Sequence, residues 1–201
     1  RHKAVYYNGY VYVLGGYSTG GTAVDTVYHA PVNLDGTLGA WTTSGQVLPV
    51  ALGSGNAFAA NGYLYFLGGQ TGTSAASTVA TVYYSLLGSD GTLGAWSTGT
   101  SMNVAQARGG MAVQNGYVYI YGGTDTSAAN TRIQYAKINS IGALGSWTTS
   151  NYTTSLSSFD FMSLGVNGYL YYLGGANVLT TRYGSVAKFS IGGSLDLLGL
   201  T

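Results

Sequence analysis

Apolar residues along this chain come in runs of about five, too short for amphipathic helices and bounded by turn-forming residues. The runs at 10–14 (YVYVL), 63–67 (YLYFL), 117–121 (YVYIY) and 169–173 (YLYYL) put Tyr on one face and Val, Leu or Ile on the other. Both faces of such strands read as buried. Each run follows Asn-Gly and precedes Gly-Gly, and the resulting blocks begin at Asn8, Asn61, Asn115 and Asn167, spaced by 53, 54 and 52 residues. A second block lies between them, at Asp35–Trp41 (DGTLGAW), Asp90–Trp96 (DGTLGAW) and Ile141–Trp147 (IGALGSW). In the fourth register it falls on Gly192–Leu198, with Leu198 where Trp is expected.

The chain therefore divides into four repeats, 1–53, 54–107, 108–159 and 160–201. Each reads as four strands; in the third these are Gly110–Gln114 (a), Tyr117–Tyr121 (b), Ile133–Asn139 (c) and Ser146–Ser150 (d). Asn-Gly accepts positive φ at both central positions of a two-residue turn, so a and b form a tight hairpin. Asp-Gly serves a slightly longer connection between c and d. Sheets buried on both faces and repeated about every fifty residues predict an all-β fold of four blades stacked around an axis.

Composition agrees and narrows the function classes. The chain has seven Lys or Arg, six Asp, no Glu, no Cys and 33 Gly among 201 residues. Helical bundles need long charged side chains on their exposed faces, and these are too few. A net charge of +1 gives no electrostatic footprint for nucleic acid or anionic lipid. Zero Cys removes disulfides, thiolate metal sites and thiol nucleophiles together. No apolar run reaches the roughly 18–20 residues of a membrane span, so no membrane insertion is expected. A surface of hydroxyls and amides suggests an extracellular or cell-surface protein. The chain starts at Arg1 rather than Met and reads as a processed product or a piece of something longer.

These residues resemble the kelch repeat family, whose pattern is a hydrophobic strand ending in Gly-Gly, then a spaced Tyr and a Trp. Gly15-Gly16 is followed by Tyr28 and Trp41, Gly68-Gly69 by Tyr83 and Trp96, and Gly122-Gly123 by Tyr135 and Trp147. Arg1 and Arg108 are similar to the Arg that often opens such a repeat. The fourth repeat keeps Gly174-Gly175 but has Val186 and Leu198 at the aromatic positions. The resemblance implies a kelch-like β-propeller. Kelch propellers include enzymes, adaptors and adhesive modules, so function must be argued from sites. The family's copper oxidases use a tyrosine cross-linked to cysteine, which a chain without Cys cannot form.

Catalytic chemistry finds little support. The Gly-Gly doublets lack a following GK[ST] or helix signal, and read as relief of crowding where strand b leaves the blade. The recurring Tyr and Trp read as inter-blade packing. His2 and His29 occupy unrelated repeat positions, and read as surface or hydrogen-bonded residues; neither a metal nor a cofactor is expected. Asp35 and Asp90 sit in equivalent Asp-Gly turns, where the carboxylate caps its own backbone. No GxSxG elbow is present.

Recognition is the leading reading; a structural propeller subunit of a surface assembly is the alternative, and a carbohydrate-active enzyme domain comes third. With four antiparallel strands per blade, the b–c and d–a connections emerge on one face and the short turns on the other. The former are variable, and variable loops on a rigid scaffold commonly carry recognition. Arg1, Arg108 and Asp160 hold equivalent positions at the start of the innermost strand, on this loop face. Arg132 and Arg182 share the loop-to-strand-c register with Asp25. Two readings stand for these charges: inter-blade ion pairing, Arg108 with Asp160 above all, or a shallow polar site where Arg108, Asp160, Arg132 and Arg182 with Tyr17 or Tyr152 meet a protein or glycan partner. Four blades fit either a compact ring or consecutive blades of a larger one; the latter exposes an apolar face at each end and predicts self-association.

Overall fold

The Asn-Gly block of each repeat forms the hairpin its pattern predicts. A computed structural model describes residues 1–154, 157–178, 181–182, 186–191 and 195–198, with 177–178, 181–182, 189 and 195–198 by backbone alone. Blade 1 comprises β1 (Lys3–Tyr7), β2 (Tyr10–Leu14), β3 (Val27–Pro31) and β4 (Thr42–Thr43). Blade 2 comprises β5 (Asn56–Ala60), β6 (Tyr63–Leu67), β7 (Val82–Leu86) and β8 (Ser97–Thr98). Blade 3 comprises β9 (Gly110–Gln114), β10 (Tyr117–Tyr121), β11 (Arg132–Lys137) and β12 (Trp147–Thr153). Blade 4 comprises β13 (Met162–Val166), β14 (Tyr169–Leu173), β17 (Val186–Ser190) and β18 (Leu195–Leu198), with the short hairpin β15 (Ala176–Val178) and β16 (Thr181–Arg182) between its second and third strands. All four sheets are antiparallel meanders in chain order.

The Asn-Gly turns take φ of 45–51° at Asn and 77–83° at Gly, as a two-residue hairpin requires. The outermost strand is shorter than expected in blades 1 and 2, two residues each. In blade 3 the third strand starts one residue earlier than expected, and the fourth runs on to Thr153. The connection between the second and third strands of blade 4, expected to be a loop like the other b–c connections, contains the β15–β16 pair; residues 179–180 and 183–185 lie outside the described residues.

Three apolar grooves join the blades. In each described groove the Tyr-bearing face of one blade meets the aliphatic face of the next. Between blades 1 and 2, Val5, Tyr12 and Leu14 meet Leu64, Phe66, Tyr83, Leu93 and Trp96. Between blades 2 and 3, Phe58, Tyr65 and Leu67 meet Val118, Ile120, Leu144 and Trp147. Between blades 3 and 4, Ala112, Tyr119 and Tyr121 meet Leu170, Tyr172 and Ala187. Polar atoms bridge the same grooves: Tyr65 donates to Gly142 O at 2.7 Å, Tyr121 to Tyr171 O at 2.6 Å, and Trp147 Nε1 to Thr100 O at 3.0 Å.

The same positions at the two ends are open. Trp41 on blade 1 is 48% exposed while its counterpart Trp147 is 6% exposed. Leu164 on blade 4 is 53% exposed while its counterpart Phe58 is 5% exposed. Tyr28 and Leu38 on blade 1, and Met162 and Leu173 on blade 4, are exposed with them.

The Gly-Gly doublets make the joints between blades possible. The N–H of Gly16 donates to Leu52 O, that of Gly69 to Gln106 O, and that of Gly123 to Ser158 O, at 2.7–2.9 Å. The accepting carbonyl belongs in each case to the chain about to enter the next blade. A Cβ on Gly15 or Gly68 would stand 2.2 or 2.1 Å from Leu52 O or Gln106 O, inside hard-sphere contact. Gly62, in the Asn-Gly turn, has positive φ too, but nothing lies within 4 Å of its Cβ position. Gly62→Ala therefore costs only the left-handed conformation, about 1 kcal/mol, whereas Gly68→Ala adds a backbone clash and costs at least twice that. Urea denaturation midpoints of the two variants compare these costs directly.

Candidate functional site

The first residue of each innermost strand's approach carries the loop-face charges. Ser54, Arg108 and Asp160 have φ of 60, 58 and 56°, an uncommon conformation for residues with a side chain. It is fixed by backbone bonds running from blade to blade: Ser54 N to Arg1 O, Arg108 N to Ser54 O, and Asp160 N to Arg108 O, at 2.8–2.9 Å. These peptide groups link all four repeats around the axis.

On this support the side chains of Arg108 and Asp160 meet. Arg108 Nε donates to Asp160 Oδ1 at 3.0 Å, and a terminal guanidinium nitrogen donates to Oδ2. The guanidinium also lies 3.9 Å from the centroid of the Phe159 ring, a cation–π contact that positions it. Arg1 approaches the same carboxylate at 4.0 Å. Burial of Asp160 works against its charged form, but the Arg108 bond, with the fields of Arg108, Arg1 and Lys3, outweighs it and lowers the pKa. Burial pushes the Lys3 ammonium pKa down, with Asp160 opposing. Three cations thus surround one carboxylate. Arg108 is largely enclosed, while Arg1 and Asp160 reach solvent.

The remaining candidates lie elsewhere. Arg132 donates to Asp125 Oδ2 at 2.8 Å within its own b–c loop. Partial burial opposes the charge on Asp125, but bonds from Ser127 N and Oγ, Ala128 N and Arg132 prevail and hold its pKa at about 2. Arg182 is described by its backbone, paired with Ala176 in the β15–β16 hairpin. Tyr17 donates to Gly72 O at 2.8 Å, and its ring covers Gly53, where a Cβ would stand 2.2 Å from it. It clamps the loops of blades 1 and 2 together. Tyr152 lies on the outermost strand of blade 3, three strand spacings or about 14 Å from the innermost. It does not join Arg108 and Asp160; it lines a cleft of about 600 Å³ between blades 3 and 4.

The turn carboxylates behave as their position predicts. Asp35 accepts from Thr37 N and Oγ1, and Asp90 from Thr92 N and Oγ1, which lowers both pKa values. His29 differs from expectation. It is buried, stacks on Tyr12 at 6.1 Å, and takes the place that Tyr84 and Tyr135 hold in the next blades. The aromatic groove accepts an imidazole where it elsewhere holds a phenol.

A buried amide network gave no periodic signal in the sequence. Gln134 donates to Val104 O at 3.0 Å and to Gln106 Oε1 at 3.2 Å, and accepts from Val104 N at 2.8 Å. Gln106 donates in turn to Gly122 O. This fastens the d–a loop leaving blade 2 to the third strand of blade 3. Among the described residues no group of three or more His, Cys, Asp or Glu side chains converges as a metal site would require. No helix among them is long and apolar enough to cross a membrane.

No protein-family model matches the chain, and no curated protein matches it. Among solved structures, that of YjhT is similar, with a TM-score of 0.79 at 12% sequence identity, covering 98% of this chain and 70% of that one. At that identity the likeness carries the fold alone. The chain is an all-β protein of four antiparallel blades in a propeller arrangement.

Proposed function

We propose that this chain is a recognition module of an extracellular or cell-surface protein, binding a protein or glycan partner at the loop-face mouth of the propeller. The observation that carries the reading is the arrangement of Arg1, Lys3 and Arg108 around Asp160 on the backbone bonds that link the blades. The Arg108–Asp160 pair is first of all an inter-blade tie. It also leaves the mouth with an excess of positive charge in a chain that has few charges at all. Such a mouth selects a partner that offers a carboxylate, whether on a peptide or on an acidic glycan. Tyr17 and Arg132 support the loops from within and are not contact residues in this reading. Ordered loops lower the entropic cost of binding.

An array of carboxylate-bearing and neutral peptides and glycans tests this. Carboxylate-bearing ligands are retained by the unaltered chain, released as salt rises, and lost with Arg1→Ala or Arg108→Ala. Retention that ignores charge, salt and both substitutions contradicts it.

A second reading is favoured by the open end faces. Trp41, Leu38 and Tyr28 on blade 1 form the surface that, in blades 2 and 3, receives the preceding blade; Met162, Leu164 and Leu173 on blade 4 form the surface that receives the following one. The two are complementary in type, so one copy offers what another accepts, head to tail. This supports a structural role in a surface assembly. In a sedimentation concentration series the chain associates, and Trp41→Ser or Leu164→Asp shifts it to monomer. Monomeric behaviour of the unaltered chain at high concentration overturns the reading.

A further inference from the structure

The four Asn-Gly turns share one sequence and differ in what holds them. Each reads Asn-Gly-Tyr, starting at Asn8, Asn61, Asn115 and Asn167, and in each the Asn is exposed with φ of 45–51°. The carbonyl of the turn Gly accepts in all four, from Val32, Leu87, Ile138 and Ile191 N in turn. The N–H of the same Gly is where they part. That of Gly62 donates to Tyr7 Oη at 2.9 Å, and that of Gly168 to Gln114 Oε1 at 3.0 Å. Asn61 Nδ2 also donates to Asn139 O at 2.9 Å. Among the described residues nothing accepts from the N–H of Gly9 or Gly116, and nothing bonds the side chains of Asn8 or Asn115.

One position of the repeat decides the difference. Tyr7, Ala60, Gln114 and Val166 are the last residues of the four innermost strands, paired with Tyr10, Tyr63, Tyr117 and Tyr169. This residue reaches the turn of the following blade. Tyr7 and Gln114 bring an oxygen to it, whereas Ala60, which precedes the Gly116 turn, has none to offer. Gly9 lies on blade 1, whose side toward a preceding blade is open. A second copy stacked there head to tail would bring Val166 to this turn, and Val166 has no oxygen either.

We propose that Asn8 and Asn115 are sites of spontaneous covalent modification, in which the side-chain amide becomes an acid, and that Asn61 and Asn167 are protected from it by their bonds. The Gly nitrogen gives its proton to water or hydroxide and attacks Cγ of the preceding Asn, unhindered because Gly has no Cβ. The bond from Cγ to Nδ2 breaks, and ammonia leaves with a proton taken from water. The succinimide so formed is opened by water at either carbonyl, to Asp or to isoaspartate. In sum one water is consumed and one ammonia released, with no oxidant, reductant or cofactor. A Gly N–H that donates must first give up its acceptor, and a bonded Asn amide must first come free; each such bond slows attack about fivefold. The four turns share their φ values, so the penalty of leaving the turn conformation is common to all and cancels in the ranking.

Conversion at both sites takes the formal net charge from +1 to −1, since each new carboxylate subtracts one from the value for the sequence. Isoaspartate also adds a backbone carbon to a two-residue turn, and so loosens the first hairpin of blades 1 and 3. The turns lie on the face opposite the loop-face mouth, so this inference does not depend on the recognition reading.

The test is incubation of the folded chain at mildly alkaline pH, with Asp and isoaspartate at the four turns followed by peptide mass spectrometry. Asn8 and Asn115 convert at similar rates, Asn167 about fivefold more slowly, and Asn61, which has two bonds to break, about 25-fold more slowly. In concentrated urea the four rates converge, because the local sequence is the same. Tyr7→Phe removes the acceptor of Gly62 N and speeds Asn61 about fivefold; Gln114→Ala brings Asn167 to the rate of Asn115. Circular dichroism of both variants confirms that they remain folded. Equal rates at the four turns of the folded chain, or rates at Asn61 and Asn167 that ignore these substitutions, overturn the proposal.

Discussion

The close approach of each Gly-Gly doublet to the chain entering the next blade is the contact on which the rest depends. A β-sheet twists and carries two apolar faces, and it can stack on a neighbour only if the connecting chain passes near the axis without holding the sheets apart. Gly15 and Gly68 let a carbonyl come closer than any side chain would permit, and Gly16 and Gly69 bond it. Once that distance is set, the tyrosine face of one blade and the aliphatic face of the next fall into contact. The backbone bonds from Arg1 through Ser54 and Arg108 to Asp160 then follow the same spacing.

The scarcity of charge has the same origin. A residue on either face of a middle strand enters a groove, and the turns are built of Asn, Asp and Gly. Charges are left to the Asp-Gly turns, the blade edges and the loop face, and on the loop face Arg108 meets Asp160 and Arg132 meets Asp125. Both pairs tie loops or blades. An isolated surface ion pair contributes little to stability, but a bidentate pair packed on Phe159 has a fixed geometry. That rigidity supports the recognition role proposed for the mouth.

Much of this architecture was legible because its signals are local and repeated. Asn-Gly, the five-residue strands and the doublets recur at fixed spacing, and register alone placed Arg108 beside Asp160. What was not legible depends on single residues or on the weakest strand. The outermost strand carries few apolar positions, so its length could not be read, and Tyr152 was grouped with charges that lie across the blade. Tyr17 gave no sign that Gly53 leaves room for its ring. Gln106 and Gln134 have no periodic signature, yet they fasten one blade to the next. The missing Trp of repeat 4 is visible in the sequence, but strand pairing sets Leu195, and not Leu198, at its register, with Phe189 opposite Leu195 as Ala136 is opposite Trp147.

Hydrogen exchange of individual amides tests the central claim most directly. The account requires the amides of Gly16, Gly69 and Gly123, and those of Ser54, Arg108 and Asp160, to be protected as strongly as strand amides, although none lies within a strand. The nearby loop amides of Thr19 and Gly20 exchange freely by comparison. Exchange at the doublets as fast as at Thr19 and Gly20 would contradict it, because the blades would then be held by something other than these joints.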